Sequence, residues 1–113
     1  MAERKILSFI DLLTEKTTVG TCTWEDDNKG YSRLVLNTGS VIFEYVYDEM
    51  VENYHYTLKL YDTTEQFASY DVDYEDNFDD ELFNALDRLR QAIAERKDEV
   101  INAKIQELYN ELK

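Results

Sequence analysis

The stretch VIFEYVYDEMVENYHYTLKLYD, residues 41–62, decides the fold of this chain because its apolar and polar residues alternate. Successive side chains of a β-strand point to opposite sides of a sheet, so alternation predicts strands with one buried face. The apolar positions of the two halves are Val41, Phe43, Tyr45 and Tyr47, then Tyr54, Tyr56, Leu58 and Leu60. The turn-like break EMVEN separates the halves, so the stretch predicts two strands joined by a turn.

A similar pattern, rich in β-branched and aromatic residues, covers much of the first two thirds of the chain. Five segments are predicted as strands: 18–25, 31–36, 41–48, 54–62 and 67–73. Among the breaks, Asn37-Thr38-Gly39 has the composition of a hairpin turn, in which Gly39 can adopt the left-handed conformation. Strands that follow one another through short turns predict an antiparallel meander of four to five strands.

Helical spacing of apolar residues occurs at both ends of the chain. Residues 3–16 predict an N-terminal helix, and residues 79–112 predict one long or two shorter C-terminal helices packed on one sheet face. The apolar stripe lapses at Arg96-Lys97-Asp98, and we expect the helix to break there. An unbroken helix, about 50 Å long, would project beyond a small sheet and pair with another copy. The predicted fold class is α+β, and a monomer is favoured over a dimer.

Length and composition predict one compact acidic α+β domain over residues 1–113. Hydrophobic residues make up 43% of the chain, which has three glycines, no proline and no linker-like segment. The single cysteine, Cys22, excludes an intramolecular disulfide, which fits a reducing compartment. No cleavage site follows the apolar N-terminal residues, and no apolar run approaches the ~20 residues of a membrane span, so we expect a cytoplasmic protein.

The formal net charge of −13 is confined to one part of the chain. Residues 25–81 contain 16 acidic and three basic side chains, whereas the two flanking segments together contain nine of each. Such a concentrated negative field attracts cationic partners and repels nucleic acid and anionic lipid. We therefore expect no direct binding of nucleic acid or membrane, because no basic footprint is present.

The segment DVDYEDNFDDE, residues 71–81, holds seven carboxylates and partly matches a calcium-binding EF-hand loop. Asp76 stands where the sharp turn of that loop requires glycine, and Leu82 stands where its bidentate glutamate belongs. The segment also follows a predicted strand rather than a helix. We therefore expect no metal site here, and no cofactor, because the chain has no Gly-rich phosphate loop.

Candidate catalytic residues are few. Two carboxylates can act as a general acid and a general base where their environments give them different pKa values. The acidic residues of segment 71–81 instead crowd together where the chain is predicted to face solvent. His55, the sole histidine, lies on the polar side of a predicted strand, and no motif surrounds Cys22. The sequence predicts no catalytic site and a protein that is not an enzyme.

Nine tyrosines are many for 113 residues, and two interpretations of them remain open. Their face of the sheet can pack under the helices, with the hydroxyl groups reaching its rim. Alternatively, some tyrosines border the acidic surface and anchor a protein partner. Tyr74, inside the acidic segment, is predicted to be one of the tyrosines that contact the partner.

The acidic turns and the acidic segment form the predicted partner-binding surface. Carboxylates at alternate positions of a strand, such as Asp71 and Asp73, repeat every ~6.8 Å, comparable to successive phosphates on one nucleic-acid strand. Such a surface can occupy the basic site of a nuclease or another nucleic-acid-binding protein. The predicted binding residues are Glu25, Asp26, Asp27, Asp48, Glu49, Glu52, Asp71, Asp73, Tyr74, Glu75, Asp76, Asp79 and Asp80.

In size, charge and helix–sheet–helix layout, the chain resembles small acidic inhibitors from phages and mobile elements, including anti-CRISPR and anti-restriction proteins. It also resembles the acidic immunity proteins that neutralise nuclease toxins. The resemblance covers no motif and assigns no residue, and it implies a non-enzymatic inhibitor of a basic protein. The alternative is a structural or scaffolding module that associates through its C-terminal helices, with its charge serving solubility.

Overall fold

The fold is α+β, with an N-terminal helix, one antiparallel sheet and a long C-terminal helix, which confirms the predicted class. The computed structural model of the chain describes residues 4–26, 30–73 and 80–113, with Asp26 and Asp80 described by their backbone alone. The elements are α1 (Arg4–Thr18), β1 (Glu25–Asp26), β2 (Tyr31–Leu36), β3 (Gly39–Asp48), β4 (Asn53–Tyr61), β5 (Gln66–Asp73) and α2 (Asp80–Leu112).

The sheet is the predicted meander. Its strands follow one another in the order β1-β2-β3-β4-β5, and every neighbouring pair is antiparallel. In the central pair, Val41 lies opposite Leu60 and Phe43 lies opposite Leu58. All four of these side chains are buried, whereas the intervening Ile42 and Lys59 are partly exposed, so the predicted alternation is confirmed.

Both helices pack against the same face of the sheet, which we call the inner face. Ile10 of α1, Phe43 and Leu58 of the sheet, and Leu86 and Leu89 of α2 are fully buried in one hydrophobic cluster. Burying a large apolar side chain contributes roughly 1.5–3 kcal/mol relative to leaving it exposed. The contact between the helices and the inner face is therefore the main source of stability. We call the opposite side of the sheet the outer face.

The predicted first strand, 18–25, is wrong over most of its length. Helix α1 continues into this segment and ends in a turn where Gly20 adopts a φ of 83° and its amide donates to the Thr17 carbonyl. Glycine adopts a positive φ at little cost, so Gly20 suits the end of the helix. Of this segment only Glu25 joins the sheet, as the first residue of β1.

Gly39 does not adopt the left-handed conformation that the hairpin pattern predicted. The described glycines with a positive φ lie elsewhere in the chain, and Asn37 and Thr38 form the turn. Gly39 instead begins β3, where an added Cβ would lie 2.1 Å from the carbonyl oxygen of Tyr61. The close approach of the neighbouring strand, rather than the turn geometry, requires a glycine here.

The expected break near residues 96–98 is also wrong, because α2 is a single helix of 33 residues. The lapse of the apolar stripe ends the burial of the helix, but it removes none of its backbone hydrogen bonds. The segment contains no glycine or proline, and Arg96 and Glu99 form an ion pair of 3.0 Å one turn apart. Residues 97–113 are exposed throughout, so the C-terminal half of α2 extends away from the core.

Candidate interaction surfaces

The strand order brings two described acidic segments to one end of the sheet, which we call the acidic end. The turn between β3 and β4 and the C-terminus of β5 both lie there. Alternate turns of an antiparallel meander emerge on the same side, so segments distant in sequence become neighbours. The described carboxylates of the acidic end are Asp48, Glu49, Glu52, Asp71 and Asp73.

The other predicted binding residues are only partly placed by the structure. Glu25 lies farther from the acidic end, opposite Arg33 in the pair of β1 and β2. Asp26 and Asp80 are placed by their backbone alone. The remaining ones lie outside the described residues, and their roles stay predictions: Asp27, Tyr74, Glu75, Asp76 and Asp79.

The turn between β3 and β4 holds three carboxylates toward solvent. Asp48, Glu49 and Glu52 are all exposed. Asp48 accepts a hydrogen bond from the Met50 amide at 2.9 Å, which orders the start of the turn. Glu52 adopts a φ of 54°, a left-handed conformation that costs a residue other than glycine roughly 1–2 kcal/mol. The turn therefore presents these charges from a constrained backbone.

Asp71 is held by two side chains of the neighbouring strand β4. The Thr57 hydroxyl donates to Asp71 Oδ1 at 2.7 Å, and His55 Nε2 lies 2.6 Å from the same oxygen. His55 Nδ1 also lies 3.9 Å from a carboxylate oxygen of Asp73. These cross-strand contacts on the outer face orient the carboxylates before any partner binds.

Lys59 and Arg33, the lysine and arginine side chains of the outer face among the described residues, lie nearer the middle of the sheet. Lys59 Nζ donates to Glu44 at 2.9 Å, and this hydrogen bond and the Glu44 charge raise the pKa of Lys59. Arg33 lies between Glu25 on one neighbouring strand and Ile42 on the other. These two cations offset carboxylates of the central rows, so the excess negative charge of the outer face is concentrated toward the acidic end.

The tyrosine-rich face is the core face, as the first of the two interpretations predicted. Tyr56 is fully buried, with its ring centroid 5.6 Å from that of Phe43 and 5.2 Å from that of Phe83. Its hydroxyl donates to Asp87 and accepts from Arg90 Nε at 2.8 Å. Burial and the hydrogen bond to Asp87 raise the pKa of Tyr56 despite the nearby Arg90 charge, so the hydroxyl remains a donor.

A groove that no sequence pattern indicated lies between the end of α1, the inner face and the middle of α2. It has a volume of about 470 Å³. Its lining includes Trp24, Tyr45, Tyr54, Arg90 and Arg96. Trp24 Nε1 donates to Thr17 Oγ1 at 2.9 Å, and the Ser32 and Tyr45 hydroxyls lie 3.1 Å apart. These polar contacts are internal, so the groove offers mainly aromatic and aliphatic surface. Its lining comes from distant elements, which is why no local pattern reveals it.

Cys22 and His55, the two candidates for catalysis, lie on opposite sides of the sheet. Cys22 packs against the core, whereas His55 lies on the outer face beside Asp71. Burial raises the pKa of the Cys22 thiol, with the Lys16 charge acting in the opposite direction, so the reactive thiolate is disfavoured at neutral pH. The structure therefore does not bring this thiol and imidazole together as a nucleophile and its base.

No group of three or more His, Cys, Asp or Glu side chains is arranged for a metal ion within residues 4–26, 30–73 and 80–113. Most of the acidic segment 71–81 lies outside these ranges. The expectation that this segment is not a calcium loop therefore stays a prediction.

Comparison with known proteins gives no relative, because no family model, curated protein or solved structure matches this chain. In the part of the chain that the structure describes, no helix combines the length and the apolar character needed to span a membrane. A function is therefore inferred from the surfaces of the molecule alone.

Proposed function

We propose that this chain is a non-enzymatic binding protein whose acidic end occupies a basic, nucleic-acid-binding site on a partner protein. The observation that carries the proposal is the meeting of two described acidic segments at one end of the sheet. These segments belong to residues 25–81, which hold 16 acidic and three basic side chains. Bound in this way, the chain would exclude nucleic acid from its partner, as expected of an anti-defence or immunity protein.

The acidic end combines ordered charge with an aromatic anchor. Asp71 and Asp73 alternate along β5, which gives the ~6.8 Å repeat expected of a phosphate mimic. Tyr47, on the inner side of the same end, is 49% exposed, and its ring centroid lies 5.2 Å from that of Tyr54. A partly exposed tyrosine supported by a second ring is typical of the anchors in protein interfaces.

The test neutralises the acidic end while keeping the size of its side chains. The variant carries Asp48→Asn, Glu49→Gln, Glu52→Gln and Asp73→Asn. A basic partner is first captured from cell lysate and eluted by salt steps, and its affinity for each variant is then measured by calorimetry. We expect the affinity to fall about 100-fold, since each lost charge contact at an exposed site costs up to about 1 kcal/mol. The circular dichroism spectrum should be unchanged.

The matched control removes four exposed carboxylates elsewhere, with Glu15→Gln, Glu65→Gln, Glu95→Gln and Glu107→Gln. Asp87 is kept because its carboxylate bonds Tyr56 and Arg90. The control should bind as the wild type does, and nucleic acid should compete for the partner. If the acidic-end variant binds at full affinity, or the control loses as much, the proposal is wrong.

A second candidate function, a structural module that associates through α2, is supported by one specific observation. The helix is continuous, and its residues 97–113 are exposed. In this case the negative charge serves solubility alone. A cytoplasmic location is part of the proposal for either function.

A further inference from the structure

We propose that residues 97–112, which we call the arm, pair with the same segment of a second copy of this chain in an antiparallel two-helix coiled coil. This inference rests on the second candidate function and identifies its partner. It is independent of the basic partner proposed for the acidic end. Three features of the arm support the inference: its residues are exposed, its apolar residues have a regular spacing, and its charges nearly balance.

The arm is an unsupported helix with an apolar stripe. Every residue from 97 to 113 is exposed. The stripe consists of Ile101, Ile105, Leu108 and Leu112, which are 45%, 57%, 61% and 89% exposed. A helix of this length is only marginally stable in water without packing. Four large aliphatic side chains on one side of such a helix indicate that another surface covers them.

The stripe has the spacing of a coiled coil. Its residues are separated by four, three and four positions, which places Ile105 and Leu112 at a positions and Ile101 and Leu108 at d positions. The stripe is shorter than the ~3–4 heptads that mark a long coiled coil. We therefore expect a dimer that dissociates on dilution.

The stripe does not continue the core-facing side of α2. The core-facing residues Leu82, Leu86, Leu89 and Ile93 follow the same spacing of four, three and four. Their series continues at Arg96 and at Val100, which is 40% exposed, whereas the stripe of the arm begins one residue later at Ile101. This shift by one residue rotates the stripe by roughly 100° around the helix. Ile101 still borders the groove beside the inner face, whereas Ile105, Leu108 and Leu112 do not line it and are left for a partner.

The distribution of charge favours a second copy in an antiparallel orientation. Residues 97–113 contain three basic and four acidic side chains, so two arms can approach with little repulsion. The sheet region, by contrast, holds nearly all of the net charge of −13. A parallel pair would place two sheets side by side, whereas an antiparallel pair places them at opposite ends, where they repel each other less.

The residues that flank the stripe are complementary in the antiparallel orientation. Lys104 and Glu111 occupy g positions of the heptad. In an antiparallel pair the g positions face each other, so Lys104 of each copy lies beside Glu111 of the other. In a parallel pair they face e positions, which here hold Asn102 and Tyr109. Two symmetric ion pairs therefore form only in the antiparallel dimer.

Sedimentation equilibrium from ~5 to ~500 µM tests the association by mass action. The mass should rise from the 13.4 kDa of one chain toward twice that value. A variant with Ile105→Glu and Leu108→Glu should stay monomeric with an unchanged melting temperature, because both side chains are exposed. The control Ala103→Glu with Asn110→Glu adds the same charges on the opposite side of the arm and should dimerise. A monomeric wild type, or a dimeric stripe variant, overturns the proposal.

Charge reversal tests the orientation. Lys104→Glu or Glu111→Lys alone creates two like-charged pairs per antiparallel dimer, so each should weaken self-association about tenfold. A 1:1 mixture of the two variants should recover the wild-type affinity, because each Glu at position 104 then faces a Lys at position 111. A mixture that associates no better than the separate variants overturns the antiparallel arrangement.

Salt distinguishes this inference from the basic-partner proposal. Raising the ionic strength from ~0.05 to ~0.5 M should leave self-association nearly unchanged, because it screens both the Lys104–Glu111 pairs and the repulsion between two acidic chains. The same change should weaken binding of a basic partner. The acidic-end variant should dimerise at least as well as the wild type. Self-association that weakens with salt and is lost in the acidic-end variant contradicts the arm as the interface.

Discussion

The Gly39→Ala variant should lose about 3 kcal/mol of unfolding free energy, a large cost for one methyl group. The added Cβ would lie 2.1 Å from the carbonyl oxygen of Tyr61, and Cβ and backbone oxygen cannot approach so closely. The clash is with backbone, so relief requires β3 and β4 to separate where Ser40 pairs with Tyr61. Thermal unfolding should show a melting temperature lower by roughly 10 °C.

Gly30→Ala is the matched control for this prediction. At Gly30 an added Cβ would lie 3.4 Å from the carbonyl oxygen of Tyr45, an ordinary contact, but the φ of 89° is unfavourable for alanine. The expected cost is about 1–2 kcal/mol, from conformation alone. A Gly39→Ala variant more stable than Gly30→Ala would show that the two strands can separate at little cost.

The Tyr56→Ala variant should lose about 4 kcal/mol of unfolding free energy, measured by urea denaturation. Tyr56 is fully buried, and its ring centroid lies 5.6 Å from that of Phe43, 5.7 Å from that of Tyr54 and 5.2 Å from that of Phe83. Removing the ring leaves a cavity among these neighbours at the centre of the inner face. The residues around it come from two strands and α2, so collapse can fill the cavity only in part.

Tyr56→Phe separates the packing of the ring from the bonding of the hydroxyl. This variant keeps the ring and removes the hydroxyl that donates to Asp87 and accepts from Arg90. Asp87 keeps Arg90 Nη2 at 3.2 Å and Gln91 Nε2 at 2.9 Å, so its carboxylate remains bonded. The cost should be about 1–2 kcal/mol. Equal losses in the two variants would mean that the hydroxyl network, rather than the ring, holds this region.

The sequence predicted the fold well where a single local requirement, such as the burial of one face of a strand, determines the structure. Alternation in residues 41–62 placed β3 and β4, because a strand with one buried face must repeat every two residues. The apolar stripe of α2 indicated which part of the helix is buried, but it did not indicate where the helix ends. Helices commonly end at glycine or proline, and the segment around residues 96–98 has neither. The need for Gly39 depends on the approach of Tyr61, which no local pattern encodes.

The candidate binding surface was predictable in charge but not in shape. Charge counting located the excess acid in residues 25–81. Its collection at one end of the sheet depends on the strand order, and the contact of His55 with Asp71 depends on the register between β4 and β5. A register shifted by one residue would move Asp71 to the inner face, because side chains alternate. The three-dimensional surface is therefore a property of the sheet.

The strand order also has a consequence for how the chain folds. Every strand pairs with its neighbour in sequence, so the sheet can grow by closing short hairpins at low entropic cost. Contact between α1 and α2 instead joins segments separated by roughly 60 residues, which is slower to form. The inner face also needs Leu82, Leu86 and Leu89, which a ribosome adds only in the last third of synthesis. Until α2 docks, an aromatic sheet face stays open to water, and the acidic residues around it keep nascent chains apart by mutual repulsion.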